Sequence, residues 1–413
     1  MPVVDPSISP DDYYTLYPFI FWAAVAVGSR RYTKDATLLL SLAPKVTQLA
    51  LESLKEPKGR TVQGLALLVT WPLPTDVSSK DLSFTLSAAL VHIAIRVGLH
   101  MPRSIQDFHR TRVELSERKI VIRSEAWIRC LLVYQRASFI YGSAPSAWVA
   151  STCDAQWKHA LSELLNPSLL FQFKLHRLQA QANTAIDENG CDMPSAEQKR
   201  AFCIILKIFD RQIKDLEDDN PWIDDLDKFH IVMTRLQVVG LHLFRPFEEI
   251  GMNELMLIYN TACMVMTFLH KCDRTIHLIS VCPEYIMSNI MLAGCMLLRI
   301  LKSDFAQYLD EKEGKAFFLD SVSTLKLMSC ANNDMPARIS QILSQLWTSE
   351  KVFKSQDGSP YLTLRIRSRF ATSIALDCVW WWREEFGGQP GVYPKGAGLS
   401  TCKSVYCSPF RGF

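Results

Sequence analysis

Apolar residues recur along this chain at the three- and four-residue steps of an amphipathic α-helix. The clearest case is Leu86, Leu90, Ile93 and Val97, which follow one another at steps of 4, 3 and 4. This spacing places all four side chains on one helical face. Gly98 can adopt the left-handed backbone conformation that commonly ends an α-helix, and a proline follows within the next turn. The sequence therefore predicts a buried helix that stops at Gly98.

The start of this helix is also marked. Ser78 and Asp81 stand three residues apart, as in a capping box. The same periodicity indicates helices along the whole chain, and we found no alternating stretch bounded by hairpin turns. The predicted helices are 12–28, 33–54, 61–71, 79–98, 117–141, 155–165, 168–187, 195–218, 224–245, 252–271, 284–302, 314–330, 336–353 and 362–386.

These segments predict an all-α fold, a multi-helix array of packed helical hairpins with no significant sheet. Residues 1–386 hold the periodic segments and are expected to form one domain. Residues 387–413 contain six glycines without periodicity, and we expect a disordered C-terminal tail there.

Composition narrows the class of protein. The chain has 413 residues, 48% of them hydrophobic, which is enough for a large core. Its net charge of +3 is far from the basic charge of an autonomous DNA-binding protein. The apolar run 19–27 is much shorter than the roughly 20 residues that span a bilayer. We expect a soluble, intracellular protein with no membrane partner and with reduced cysteines.

Five segments, in order, resemble a known family. They are 17–30, 61–74 with its VQGLALLVTW run, 86–102 with its GLHMP exit, 125–145, and 377–386. Together they resemble the fungal transcription factor domain, or middle homology region, of zinc binuclear-cluster transcription factors. Gln135-Arg136, the loop from Gly142 to Pro145 and the tail helix look more like the PrtT-type subgroup. The resemblance covers residues 12–386.

The resemblance implies a nuclear regulator of transcription, not an enzyme, in which this body senses an effector or a partner. It also implies a homodimer or pairing with related zinc-cluster regulators, a small metabolite as effector, and indirect contact with DNA. Full-length members hold zinc in a cluster of six cysteines. None of the twelve cysteines here forms a C-x-x-C pair, so we expect no cofactor in this chain and no DNA-binding cluster. Either the cluster was lost, or the gene model is shortened.

We predict an effector site around the 86–98 helix. His92 and Arg96 stand four residues apart beside its apolar stripe, and a guanidinium can clamp a carboxylate metabolite. Trp71, Tyr134 and Arg136 are further candidates for the same pocket. The alternative is that Arg96 makes an internal ion pair and His92 a core hydrogen bond.

An acidic stretch suggests a different function. Residues 215–227 carry seven acids and no base, as in the magnesium-binding motifs of terpene synthases. However, Trp222 replaces the third carboxylate of a motif starting at Asp218, and Asn333-Asp334 lacks the second motif's partners. We favour an acidic loop between helices, with Asp224 capping the next helix. A divergent terpene-synthase-type enzyme and an inert helical scaffold remain as alternatives.

Three other groups of residues are expected to have structural and not functional roles. His270, Cys272, His277 and Cys282 match no common zinc spacing and are expected at helix ends. The basic segment 103–123 predicts a solvated loop, and Trp380 to Trp382 predict core packing. The usual hydrolase, metalloprotease and nucleotide-binding motifs are absent from the sequence. We therefore predict no catalytic and no metal-binding residues.

Overall fold

The computed structural model describes residues 7–57, 60–75, 80–145, 164–193, 195–354 and 363–387. These ranges contain fourteen α-helices and no strand, which confirms the all-α prediction. The helices are α1 Pro10–Leu16, α2 Pro18–Ser29, α3 Leu38–Lys55, α4 Thr61–Thr70, α5 Ser83–Arg96, α6 Glu117–Tyr141, α7 Pro167–Asn189, α8 Ala196–Asp218, α9 Asp225–Val239, α10 Met252–Ile276, α11 Glu284–Leu301, α12 Glu311–Met328, α13 Met335–Thr348 and α14 Thr372–Phe386. Short 3-10 turns lie at Ile105–Phe108, Gly240–Phe244, Phe247–Glu249 and Asp304–Tyr308.

Helices that are consecutive in the chain make the most extensive contacts, for example α9 with α10, α11 with α12, and α5 with α6. Neighbours in the chain are thus neighbours in space, as expected for an array of packed helical hairpins. It buries two apolar clusters. The N-terminal core lies among α2 to α6 and reaches the start of α7. The larger C-terminal core lies among α7 to α14, with Phe139 at the end of α6.

The stripe of α5 is buried as expected. Leu86, Leu90 and Ile93 lie in the N-terminal core, and Val97 packs half-buried against it. Gly98 adopts φ +71°, the left-handed conformation. The N–H of Leu99 donates to the carbonyl of Ala94 at 2.9 Å, as in a Schellman end.

The helix starts differ from prediction in several places. Predicted helix 12–28 is two helices, because Tyr17 precedes a proline and has left the helical region (φ −140°, ψ 58°). The predicted start at 79 is wrong, since α5 begins at Ser83, whose N–H bonds Asp81 at 2.8 Å. Ser78 lies outside the described residues.

The later boundaries shift by a few residues. Helix 224–245 ends at Val239 and continues as a 3-10 turn, where Gly240 passes close to Met296 of α11. Helix α14 begins at Thr372, ten residues after the predicted start. The predicted helix 155–165, apart from its last two residues, and the predicted tail at 388–413 lie outside the described residues.

Candidate functional site

The junction between the N-terminal and C-terminal cores holds a cavity of about 50 Å³ that opens to solvent. We call it the seam cavity. Its N-terminal wall comes from the end of α2, the loop after α4 and the approach to α5. Its C-terminal wall comes from the first residue of α11 and the start of α13. The lining residues are Arg30, Pro72, Leu73, Pro74, Thr75, Asp81, Glu284, Cys330, Asp334, Met335, Pro336 and Arg338.

Side chains from one half hold backbone carbonyls of the other across this junction. Trp71 donates its indole N–H to the carbonyl of Val281 at 2.9 Å. Arg31 donates to the carbonyls of Ser280 and Leu327, each at 2.8 Å. In the opposite direction, Arg338 Nη1 donates to the carbonyl of Thr75 at 3.2 Å. Polar contacts around the cavity thus help to hold the two halves together.

The charged side chains that line the cavity differ in the hydrogen bonds they form. Asp334 caps α13, and its carboxylate accepts from the backbone N–H groups of Cys330, Ala331 and Ala337 and from the Ser329 hydroxyl. Its role is therefore structural. Arg30 is held against the wall by donating Nη1 to the carbonyl of Pro72 at 2.8 Å.

Glu284 is the group with the most altered chemistry. Burial raises the pKa of its carboxyl to about 7, the nearby Asp81 and Asp334 charges add to this effect, and Arg30 opposes it. Within the described ranges no hydrogen bond or ion pair reaches this carboxylate. A carboxyl in this state changes charge near neutral pH and favours an incoming cation.

A second polar site lies inside the bundle, around Arg136 of α6. Its Nε donates to His176 Nε2 at 3.0 Å, and its Nη2 donates to Gln172 Oε1 at 2.9 Å. The guanidinium carbon lies 5.3 Å from the ring centre of Tyr285. Burial lowers the pKa of Arg136, but a guanidinium stays charged at neutral pH.

The negative counterpart is Asp227 at the start of α9, which is 1% exposed. Its Oδ1 accepts from Gln172 Nε2 at 2.9 Å and from the Ser168 hydroxyl at 2.8 Å. Burial raises the pKa of Asp227. The Gln172 amide therefore bridges a buried cation and a buried carboxyl.

Two histidines complete this buried network. His176 is 0% and His230 is 4% exposed, and the two rings lie 5.3 and 6.4 Å from that of Tyr285. Burial, followed by the charge of Arg136, holds both histidine pKa values well below 6.5. Because His176 accepts at Nε2, it is neutral with its proton on Nδ1. This network braces α6, α7, α9 and α11 against one another.

The predicted effector residues are therefore dispersed. Arg136 belongs to the buried network, and Trp71 lies at the seam. Tyr134 packs half-buried against the N-terminal core. His92 and Arg96 are exposed on α5, so the alternative that they serve as core polar groups is wrong. The binding role of these five residues stays a prediction.

Sequence reasoning missed the seam residues Arg30, Glu284 and Arg338. Each stands at a helix end, where a charged residue is ordinary, and no local spacing links them. Only the packing of α2, α11 and α13 brings them to one cavity.

The acidic stretch is used in helix junctions, as favoured above. Asp218 ends α8, and Asp224 caps α9 by accepting from the N–H of Asp227 at 2.8 Å. Asp334, from the other candidate motif, caps α13. Within the described residues, no group of three or more His, Cys, Asp and Glu side chains is arranged to hold a metal ion.

The His and Cys cluster lies at the end of α10, as predicted. His270 bonds Asp320 at 2.7 Å, Cys272 is buried, and His277 ends the helix with φ +51°. The basic segment 103–116 is mostly an exposed loop, and α6 begins at Glu117. Trp380 to Trp382 are all half-buried, so the predicted core packing is only partial.

Two helices, Met252–Ile276 and Glu284–Leu301, are long and apolar enough to cross a membrane by composition. In their most apolar 18-residue windows, 56% and 78% of the residues are buried inside the protein. Such burial is typical of core helices, so their apolar character has a sufficient explanation in the C-terminal core.

The known proteins that this chain resembles are regulators of transcription. The chain is 22% identical to Regulatory protein LEU3 of Saccharomyces cerevisiae, over 94% of this chain and 50% of that protein. It is 24% identical to Transcriptional regulatory protein SEF1 of Candida albicans, over 91% of this chain and 42% of that protein. The chain is similar to fungal transcription regulators. It spans about half the length of these curated relatives, and no family model matches it.

Proposed function

We propose that this chain is the regulatory body of a fungal zinc-cluster-type transcription regulator, and that it senses an effector or a partner. The observation that carries the proposal is the similarity to two named transcription regulators over more than nine tenths of the chain. The helical array described above is thus the part shared with those proteins. Nuclear localisation and a homodimer, or pairing with related regulators, belong to the same proposal.

The seam supports a sensing mechanism. Two apolar cores meet at a junction held by side-chain-to-carbonyl hydrogen bonds around an open cavity. A ligand that fits one packing of the halves better than another shifts the population toward it. Such a shift would reach a DNA-binding or activating segment attached to either half.

We further propose that this chain does not bind DNA specifically by itself. It lacks the paired cysteines of a zinc cluster, and its net charge is only +3. A gel-shift assay with the purified chain tests this at moderate salt. Sequence-specific retention of a duplex would refute it, whereas weak, salt-sensitive retention of any duplex would not.

Effector sensing is tested by thermal unfolding across a metabolite panel. A ligand at 100 times its dissociation constant stabilises the native state by about 2.7 kcal/mol. A stabilising metabolite should also change transcription of a reporter in cells that carry this chain. If no metabolite or protein partner alters either readout, the inert-scaffold alternative is the better description. Magnesium-dependent turnover of a prenyl diphosphate would instead support the enzyme alternative.

A further inference from the structure

The seam cavity brings opposite charges together beside apolar walls. Arg30 and Arg338 are on its surface, and so are Asp81 and Glu284. Its apolar surface comes from Leu73, Met335, Cys330 and the three prolines at 72, 74 and 336. The cavity opens to solvent, so a small molecule can enter it from the surface.

Glu284 is the carboxylate of the cavity to which a ligand would add a missing polar partner. It is the first residue of α11, and no described residue forms a hydrogen bond or ion pair with its carboxylate. The charge of Asp81 repels the Glu284 carboxylate more strongly than that of Asp334, and Arg30 attracts Glu284 without pairing with it. A cationic group placed between Glu284 and Asp81 would satisfy both carboxylates.

Arg30 provides the complementary charge. Its Nη1 is tied to the carbonyl of Pro72, which fixes the guanidinium at the wall of the cavity. Arg338 is likewise fixed by the carbonyls of Thr75 and Asn333, at 3.2 and 2.9 Å. Guanidinium groups positioned in this way are suited to a carboxylate.

We propose that the seam cavity binds a zwitterionic small molecule with the chemistry of an α-amino acid. Its ammonium would lie against Glu284 and Asp81, its carboxylate against Arg30 and Arg338, and its apolar side chain against Leu73 and Met335. This inference rests on the proposed sensing function and names the ligand class of the seam. An anion alone would face the carboxylates of Glu284 and Asp81, and a cation alone would face the guanidiniums of Arg30 and Arg338, so a zwitterion matches the charges of the cavity better than either.

Binding is measured by isothermal titration of the purified full chain with each common L-α-amino acid at up to millimolar concentration. L-Methionine serves as the reference probe, because an unbranched apolar side chain adapts to irregular walls. N-acetyl-L-methionine lacks the ammonium, and L-methioninol lacks the carboxylate. Each analogue should bind at least about 10-fold more weakly than L-methionine, as expected for loss of a charged hydrogen bond.

The matched variants are Glu284→Gln and Glu311→Gln. Both replace the first residue of a helix, but Glu311 is exposed on α12, away from the cavity. Glu284→Gln should weaken L-methionine at least about 10-fold and leave its N-acetyl analogue unchanged, since that analogue makes no ammonium contact. Glu311→Gln should bind as the parent chain does. Circular dichroism confirms that each variant is folded.

A second readout does not depend on a variant. An ammonium favours the ionised form of Glu284, so binding near pH 6.5 should release a fraction of a proton. Titrations in buffers of different ionisation enthalpy measure this release. The other charged or titratable groups around Glu284 are Asp81, Asp334, Arg30, Arg338, Cys330 and Cys282.

The outcomes separate this inference from the sensing function. Amino-acid binding with the expected discrimination supports the site, even if reporter transcription does not respond. If no amino acid binds, or if the N-acetyl analogue binds as well as L-methionine, the site assignment is overturned. A transcriptional response to a different metabolite class, without amino-acid binding, would leave the sensing function standing and remove this ligand class.

Discussion

Arg299 of α11 and Asp377 of α14 form an ion pair whose side chains are 1% and 0% exposed. The Asp377 carboxylate also accepts from the backbone N–H of Arg365 at 3.0 Å. The Arg299 guanidinium lies 4.2 Å from the ring centre of Phe353. This pair fixes the last described helix against the central helix of the C-terminal core.

Replacing one partner should therefore be costly. Asp377→Ala removes the carboxylate that pairs with the buried Arg299 guanidinium, and we expect a loss of about 3–5 kcal/mol in the free energy of unfolding. Urea denaturation measures it. Glu384→Ala is the control, because it removes the more exposed pair with Arg365 (2.8 Å) and should cost less than about 1 kcal/mol. Equal losses in the two variants would contradict a special role for the buried pair.

Gly98 is predicted to be required at the end of α5. Its φ of +71° disfavours any L side chain, and an added Cβ would lie 2.5 Å from Phe108 Cδ2. Gly98→Ala should lower the free energy of unfolding by about 2 kcal/mol. Gly28→Ala in α2 is the matched control, since nothing lies within 4 Å of its Cβ position. Helix propensity there favours alanine by up to about 1 kcal/mol, so the two variants should shift the melting temperature in opposite directions.

The buried histidines predict a loss of stability in mild acid. His176 and His230 have native pKa values well below 6.5, so below pH 6.5 the unfolded chain binds more protons than the native chain. Stability should fall by up to about 1.4 kcal/mol per histidine for each pH unit below that value. Denaturation at pH 7, 6 and 5 measures the slope.

A substitution of His230 tests whether the buried histidines cause this dependence of stability on pH. In His230→Gln the slope should fall by about a third, because His176 and His242, whose pKa burial lowers to about 4, still resist protonation. Comparing slopes cancels any constant loss from poorer packing. A slope equal to that of the parent chain would place the acid sensitivity elsewhere in the protein.

Glu284 predicts the opposite dependence on pH. Its pKa of about 7 exceeds the ordinary 4.5, so between these values the native state keeps a proton that the unfolded chain has lost. Stability therefore falls as pH rises through this window, by about 1–2 kcal/mol after allowance for solvent screening. Glu284→Gln should be more stable than the parent chain at pH 8 and nearly equal to it at pH 4.5. If the difference between the two chains does not change with pH, the assignment to Glu284 is wrong.

Local rules predicted most of the elements of this protein. The stripe of α5 and the cap at Asp224 were read correctly, because apolar spacing and capping depend only on neighbours in the chain. The errors fall at helix starts such as Ser83 and Thr372, where the chain outside the helix decides the boundary.

The candidate site was predicted less well. Of the five proposed effector residues, Trp71 lies at the seam and Arg136 in the buried network, while His92 and Arg96 are exposed. A helix shows its apolar face through periodicity, but nothing in a local pattern tells which distant helix its charged end residues meet.

The sequence by itself determined that this chain folds as an array of helical hairpins, because hydrophobic periodicity and capping are properties of short segments. Only the tertiary structure decided that Arg30 and Glu284, more than 250 residues apart, share one cavity. It also decided that Arg299 and Asp377 neutralise each other inside the core. Burial and long-range approach set the pKa values and pairings of such groups, and neither is encoded in the local pattern of residues.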